Sequence, residues 1–410
     1  MNAAGTPRSV RSGFRAFRYT GYRSLYVATI ARGMQVWMLF VGLPLLVLRL
    51  GGGPAEIGLV TGLLLLPVTF IAPVGGVIGD RIDRRRALVT MAVFGSILGA
   101  LLAGLVLTDA MTFPLLVGLS LVFGILNAAE IPIRLAFVAE VVPAPDLPNG
   151  IVLGSAALSA TRIVGPAVAG IVTATAGLAP LFVLIAGAAV VTAAAMFTVR
   201  RFARDATPVK PTASVREALV AGLRYALGTP RIRGPLWLLG VTAVFGLSIQ
   251  AILPIFAIGQ LGLDPSQYGS MLAVMGVGAI ISAGPMAFIR PVHARRVMLA
   301  GALVLSIAVA ALAVTRFVPV AFALTIMLGA AGSVTLGSVS IAIQDVVHDH
   351  LRARVLGLQA ALFQGGIGLG GVAMGLATER VGVETTMVAG ASVVGLGAIA
   401  TALIWFRSDR

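Results

Sequence analysis

Apolar runs of about 20 residues, parted by short polar breaks, fill nearly the whole of this 410-residue chain. Inside a bilayer no water satisfies open backbone groups, so runs of this length must be spanning helices. Twelve such windows are read, at 24–48, 55–78, 87–107, 113–138, 149–172, 178–199, 234–258, 267–289, 297–315, 318–343, 355–377 and 384–406. Hydrophobic residues make up 58% of the chain and charged residues 11%, against about a quarter charged in a soluble domain. Lipid, not water, is the solvent of this sequence.

The chain also repeats itself at about half its length. Leu43-Pro44, followed by Pro54-Ala55-Glu56-Ile57-Gly58, recurs as Leu253-Pro254 and Pro265-Ser266-Gln267-Tyr268-Gly269, and Glu140-Val141-Val142 is answered by Asp345-Val346-Val347. The sequence therefore predicts an all-α membrane protein of two pseudo-symmetric six-helix bundles with a cleft between them. The expected organisation is a cytoplasmic segment over 1–23, a first bundle over 24–199, a linker with an amphipathic helix over 200–233, a second bundle over 234–406 and a tail over 407–410.

A net charge of +15 would ordinarily raise nucleic acid as a partner. The placement of the charge argues against it. With the amino terminus in the cytoplasm, 24 of the 30 basic residues fall on the cytoplasmic side, and the other face holds Arg49, Arg316 and Arg380. The asymmetry sets orientation, with both termini cytoplasmic and the chain in the inner membrane. The amino-terminal segment runs into a full-length apolar span without a small-residue cleavage site, as a retained first helix does. Lys210 is the single lysine and lies in the linker, which leaves no phosphate-cradling GxxxxGK[ST] loop. With no cysteine, and with His293, His348 and His350 all in loops, no metal site, cofactor or thiol chemistry is expected. No loop is long enough for a catalytic domain, so an enzyme is not expected. In the linker, Ser214 and Glu217 stand at capping-box spacing and Val215, Leu219, Leu223 and Leu227 form an apolar stripe, predicting a helix lying on the membrane surface.

After the second span stands Gly76-Val77-Ile78-Gly79-Asp80-Arg81-Ile82-Asp83-Arg84-Arg85-Arg86. It resembles the loop signature of the major facilitator superfamily, with Asp83 where many members have Gly, as in the subgroup of enterobactin exporters and related drug pumps. Pro132-Ile133-Arg134-Leu135-Ala136, Glu140-Val141-Val142-Pro143 and Ala160-Thr161-Arg162-Ile163-Val164-Gly165-Pro166 look like further patterns of that subgroup, as do Asp345 and Leu351-Arg352-Ala353-Arg354-Val355. Gly165-Pro166 and Gly170 partly resemble the superfamily's antiporter motif, with Thr161 at a glycine place. The resemblance implies a conformational latch of Gly76, Asp80, Arg81, Arg84, Arg134, Glu140 and Asp345. In it Asp80 faces the amino end of span eleven near Val355–Leu358 and Arg84 engages acidic partners, while the arginine run mainly sets topology.

Ionisable groups inside spans are costly and mark function. Arg32, Glu130 and Arg162 are read there, Arg32 and Glu130 at similar depth, and Glu130 is the expected proton-coupling residue with Arg32 or Arg162 as partner. The competing reading is a permanent brace. Gln35, Trp37, Asn127, Phe245, Gln250, Gln359, Phe363 and Gln364 are candidates for the cavity wall, suited to amphipathic molecules of low or negative charge. The function expected is export of small amphipathic molecules, drugs or siderophores, by a monomer that exchanges them for protons. An importer of a nutrient or ferric siderophore with the same fold and a non-transporting membrane sensor or scaffold are the alternatives; a channel is disfavoured because no filter-like segment or ring of like charges is present.

Overall fold

The computed structural model describes residues 10–79, 82–200, 215–286 and 288–408, and among them every regular element is helical. A 3-10 segment, Val10–Arg18, leads into α1 (Thr20–Arg49), α2 (Pro54–Gly79), α3 (Arg84–Leu107), α4 (Phe113–Val141), α5 (Leu147–Ala176) and α6 (Leu178–Thr198). After α7 (Val215–Gly228) come α8 (Pro230–Val241), α9 (Pro265–Met286), α10 (Pro291–Val314), α11 (Val318–Gln344), α12 (Asp349–Val381) and α13 (Val383–Ser408). Twelve spans are long and apolar enough to cross a bilayer, the seventh being α8 together with the turns that follow it through Ala251, while α7 is too short.

The internal repeat is visible in the turns. Among the described residues the positive-φ glycines are Gly51 (78°), Gly177 (89°), Gly262 (65°) and Gly382 (84°). Gly51 and Gly262 close corresponding joints of the two halves (262 − 51 = 211), as do Gly177 and Gly382 (382 − 177 = 205). A left-handed backbone there costs a glycine nothing and reverses the chain at the membrane face.

Three elements depart from expectation. The seventh span is not one regular helix: α8 gives way to a π turn at Thr242–Gly246, a 3-10 turn at Leu247–Ala251 and a second π segment at Ile255–Gln260. The distorted backbone runs close against α12, where a Cβ on Gly370 would stand 2.2 Å from the Val244 carbonyl oxygen, so only a glycine leaves room for it. The eleventh span, α12, begins at Asp349, and Val355 is fully buried inside it. The stretch Val355–Leu358 is therefore not the amino end of that helix, because its start is held out beyond the expected span. Finally, α7 packs on α12 and α8, with Gly222 against Arg354 and Ala226 fully buried. Leu223 and Leu227 of the predicted stripe are exposed, and Ser214 lies outside the described residues.

Within the first half α2 packs on α4, α3 on α6, and α1 on α5 and α6; in the second, α11 packs on α9 and α10, and α10 on α13. The halves meet through α2 with α12 and α5 with α9. Both seams are built on small residues that let backbones touch. A Cβ on Gly58 would lie 2.4 Å from the Gly371 carbonyl oxygen, and one on Gly269 would lie 2.6 Å from both Gly170 Cα and the Pro166 carbonyl oxygen. These contacts lie toward the ends of the helices distal to the chain termini. Toward the opposite end the same stripe of α5, Pro166 and Ile163, continues as Ser159, Ser155 and Val152, and Val152 is 65% exposed. Its counterpart on α9 opens likewise at Ile280 and Ala283, both exposed. On this face α5 and α9 are joined toward one end and diverge at the other, whereas α2 and α12 stay in contact from Pro54 against Gly375 as far as Thr69 against Gly365.

Overpacking a close helix contact costs about 1–3 kcal/mol. Gly269→Val is therefore expected to weaken the distal seal. Because the chain has no cysteine, a single Ser333→Cys probe reports directly: the valine should raise its labelling by an impermeant maleimide from the distal side, and unchanged labelling would remove the seam from that role.

Candidate functional site

The cleft between the halves holds a cavity of ≈ 400 Å³. Its first-half wall is polar and cationic, with Arg32, Asn127, Arg134, Ser159 and Arg162 beside Trp37 and Phe40. The second-half wall is mostly apolar, from Leu247, Met275, Leu336 and Phe363, relieved by Gln250, Ser333 and Gln364.

Arg32 on α1 is the hub of the charged wall. Its Nε donates to Glu130 Oε2 at 2.6 Å and its Nη1 to Gln35 Oε1 at 2.8 Å, while Nη2 reaches Asn127 Oδ1 at 3.5 Å. Asn127, Glu130 and Arg134 recur at helical spacing on α4, so one face of that helix meets the guanidinium. Arg134 Nη1 lies 3.7 Å from Glu130 Oε1, an ion-pair distance without a hydrogen bond, and is a buried donor with no hydrogen-bond partner. One carboxylate thus stands between two guanidiniums. Arg162 is held differently: its guanidinium carbon sits 5.1 Å from the centre of the Trp37 ring, a cation–π stack worth most where water is excluded. Gly165 makes this possible, since a Cβ there would lie 2.6 Å from Trp37 Cβ. One turn earlier the crossing of α1 and α5 is filled by buried Thr161, whose Oγ1 would lie 2.4 Å from a Cβ on Gly33. The glycine absent at 161 is supplied at 33 on the facing helix.

The expected wall residues divide. Trp37, Asn127, Gln250, Phe363 and Gln364 line the cavity, whereas Gln35 turns behind it to Arg32. Gln359 donates to Ser340 at 2.6 Å on the flank of α11, and Phe245 packs into the hydrophobic core. Neither reaches the cavity wall. Arg134, expected at the latch, stands in the cavity beside Glu130. Ser159 and Ser333 were missed; lone serines in apolar helices carry little signal, although facing the cleft gives them one.

At the expected latch Asp80 and Arg81 lie outside the described residues, and Gly76 belongs to the last turn of α2. Arg84 Nη1 pairs with Glu140 Oε1 at 3.0 Å, tying the start of α3 to the end of α4. Asp83 caps α3 by accepting the Arg86 amide at 2.8 Å, which gives the residue in the signature's glycine place a structural task. Arg85 donates to the Phe197 and Val199 carbonyls at 2.7 and 2.9 Å, satisfying the carboxyl end of α6. Asp345 lines a second pocket with Arg231, Arg295 and Arg296, away from Glu140. Among the described residues no cluster of three or more His, Asp or Glu side chains could hold a metal ion.

This architecture is matched by known proteins. The sequence matches the family described as transmembrane secretion effector over residues 11–408. An uncharacterized MFS-type transporter of Bacillus subtilis (strain 168), YfiS, is 25% identical over 270 residues, covering 64% of this chain and 63% of that protein. The chain thus spans about 63% of the length of the curated relative it matches. Among solved structures, a bacterial homologue of the human lysosomal transporter Spinster, inward-facing and unoccupied, superposes with a TM-score of 0.77 at 15% identity, over 93% of this chain and 96% of that one. The nucleoside transporter NupG gives 0.74 at 15% identity, over 94% and 99%. These two share the fold. The chain belongs to the transmembrane secretion effector family of the major facilitator superfamily.

A buried charge left without its partner is costly, and charges in contact couple non-additively. Glu130→Gln and Arg32→Gln are each expected to lower thermal stability in detergent, with a coupling of about 1–3 kcal/mol between them in a double-mutant cycle. Strict additivity would show that the pair does not brace α1 against α4.

Proposed function

We propose that the protein is a secondary active transporter that exports small amphipathic molecules, such as drugs or siderophores, by alternating access. The observation that carries this reading is a cavity walled by both halves, closed toward one end by glycine contacts, with the α5 and α9 faces separating toward the other. Two bundles that meet along the α2–α12 and α5–α9 seams can rock about the cavity and exchange which end is closed. With both termini in the cytoplasm, the open end faces the cytoplasm and the state described is ready to load. The outward direction draws support from the family's description as secretion effectors.

Glu130 is the proposed proton-exchanging group. It is the carboxylate directly behind the charged wall, and its two arginine partners, Arg32 on α1 and Arg134 on α4, both line the cavity, so opening the cavity to one side or the other changes the hydration and charge around it. Export against protons would then follow from rearrangement of the Arg32–Glu130–Arg134 group.

The direct test reconstitutes the full chain into proteoliposomes and follows internal pH with a substrate found by screening a pump-deficient strain. Glu130→Gln is expected to keep substrate movement down its own gradient while abolishing the accompanying proton movement. Unchanged coupling removes Glu130 from the mechanism, and uptake confined to right-side-out vesicles would replace export by import.

A further inference from the structure

The central cavity has a charge surplus that its own residues do not neutralise. Arg32, Arg134 and Arg162 all line it, and no acidic side chain does; Glu130 stands behind the wall, bonded to Arg32. Three guanidiniums against one carboxylate leave two positive charges in excess in a bilayer-embedded cleft, where unpaired charge is costly. Arg134 lines the cavity, and its buried Nη1 stands 3.7 Å from Glu130 Oε1 without a hydrogen bond, so that carboxylate holds it less closely than it holds Arg32. Arg162 stacks on Trp37, and no ion pair joins it to an acidic side chain among the described residues, so its outer edge keeps its donors for something else. A guanidinium stacked on an aromatic face is pre-oriented for bidentate hydrogen bonds to a carboxylate. Across the cavity, Phe363, Leu336 and Met275 give an apolar surface, and the ≈ 400 Å³ enclosed lies within the usual range for a small-molecule site.

We propose that the cavity is a binding site for organic anions: a carboxylate head seated between Arg162 and Arg134, with an apolar or aromatic body against the second-half wall. This rests on the transporter reading for its consequence, flux of such anions, but the binding itself requires neither flux nor proton coupling. Recognition is divided between the halves, charge from the first and apolar contact from the second. An occupant therefore bridges both bundles, and an amine of the same size meets like charge on one whole side.

The test measures equilibrium binding of radiolabelled 1-naphthoate to the full chain in phosphatidylcholine nanodiscs, beside the isosteric 1-naphthamide and 1-naphthylmethylammonium. Naphthoate is expected to bind at least about tenfold more tightly than the amide, the worth of a charge-assisted hydrogen bond, and the ammonium not at all. Arg162→Gln should weaken naphthoate by about tenfold and leave the amide unchanged. Ser333→Asp, which adds a carboxylate from the opposite wall without touching the arginine–tryptophan stack, should weaken naphthoate alone. Equal affinity for naphthoate and amide, preference for the ammonium, or failure of naphthoate to bind would overturn the proposal. So would its displacement by added phosphatidylglycerol, which would assign the arginines to a lipid headgroup. Anion binding without flux leaves this inference standing and defeats the transporter reading, whereas flux of neutral or cationic compounds without anion binding does the reverse.

Discussion

Direct backbone contact between the two halves is the constraint on which the cavity depends. Gly58 against Gly371 and Gly269 against Gly170 bring helix axes closer than larger side chains would permit. A seam of bulky residues would hold the bundles apart throughout. In lipid, where burying apolar surface gives helices little reason to prefer one another over acyl chains, such close packing is a main source of cohesion. A glycine seam therefore holds the halves together through close backbone packing.

Polar cohesion is concentrated in the other direction, inside the first half. Arg32, Gln35, Asn127, Glu130 and Arg134 form one connected group between α1 and α4, while the second-half wall of the cavity is largely apolar. The twofold repeat of the backbone is thus not a repeat of chemistry. One wall of the cavity carries the charges and the other the apolar surface.

Much of this was legible in the sequence because it depends on composition and spacing. Runs of apolar residues marked twelve spans, and the recurrence of Leu-Pro with a following Pro-x-x-x-Gly located the halves. Matching depth brought Arg32 and Glu130 together, and the structure has them at 2.6 Å. What stayed hidden depends on the rotational setting of one helix against another. Arg134 lies one turn from Glu130 and shares its face, yet its place in a family-like pattern drew it toward the latch. Phe245 and Gln359 have the right chemistry and depth but point into packing. In the broken seventh span Pro254 is a local interruption, whereas the close approach of Val244 to Gly370, more than a hundred positions away, is carried by no local pattern. Asp83 could have been read as a cap, since it immediately precedes a helix whose first turn holds its amide partner.

The crossing of α1 and α5 at Gly33 and Thr161 has a consequence for how this protein changes over generations. The threonine occupies the hollow that the glycine leaves, so the volumes on the two helices are complementary, not independently chosen. Drift to glycine at 161 would open a void beside 33, and drift to alanine at 33 would drive a methyl group into the threonine. Substitution at this crossing is consequently channelled into matched exchanges, and the pair should leave a correlated imprint across descendants in which neither position alone looks invariant.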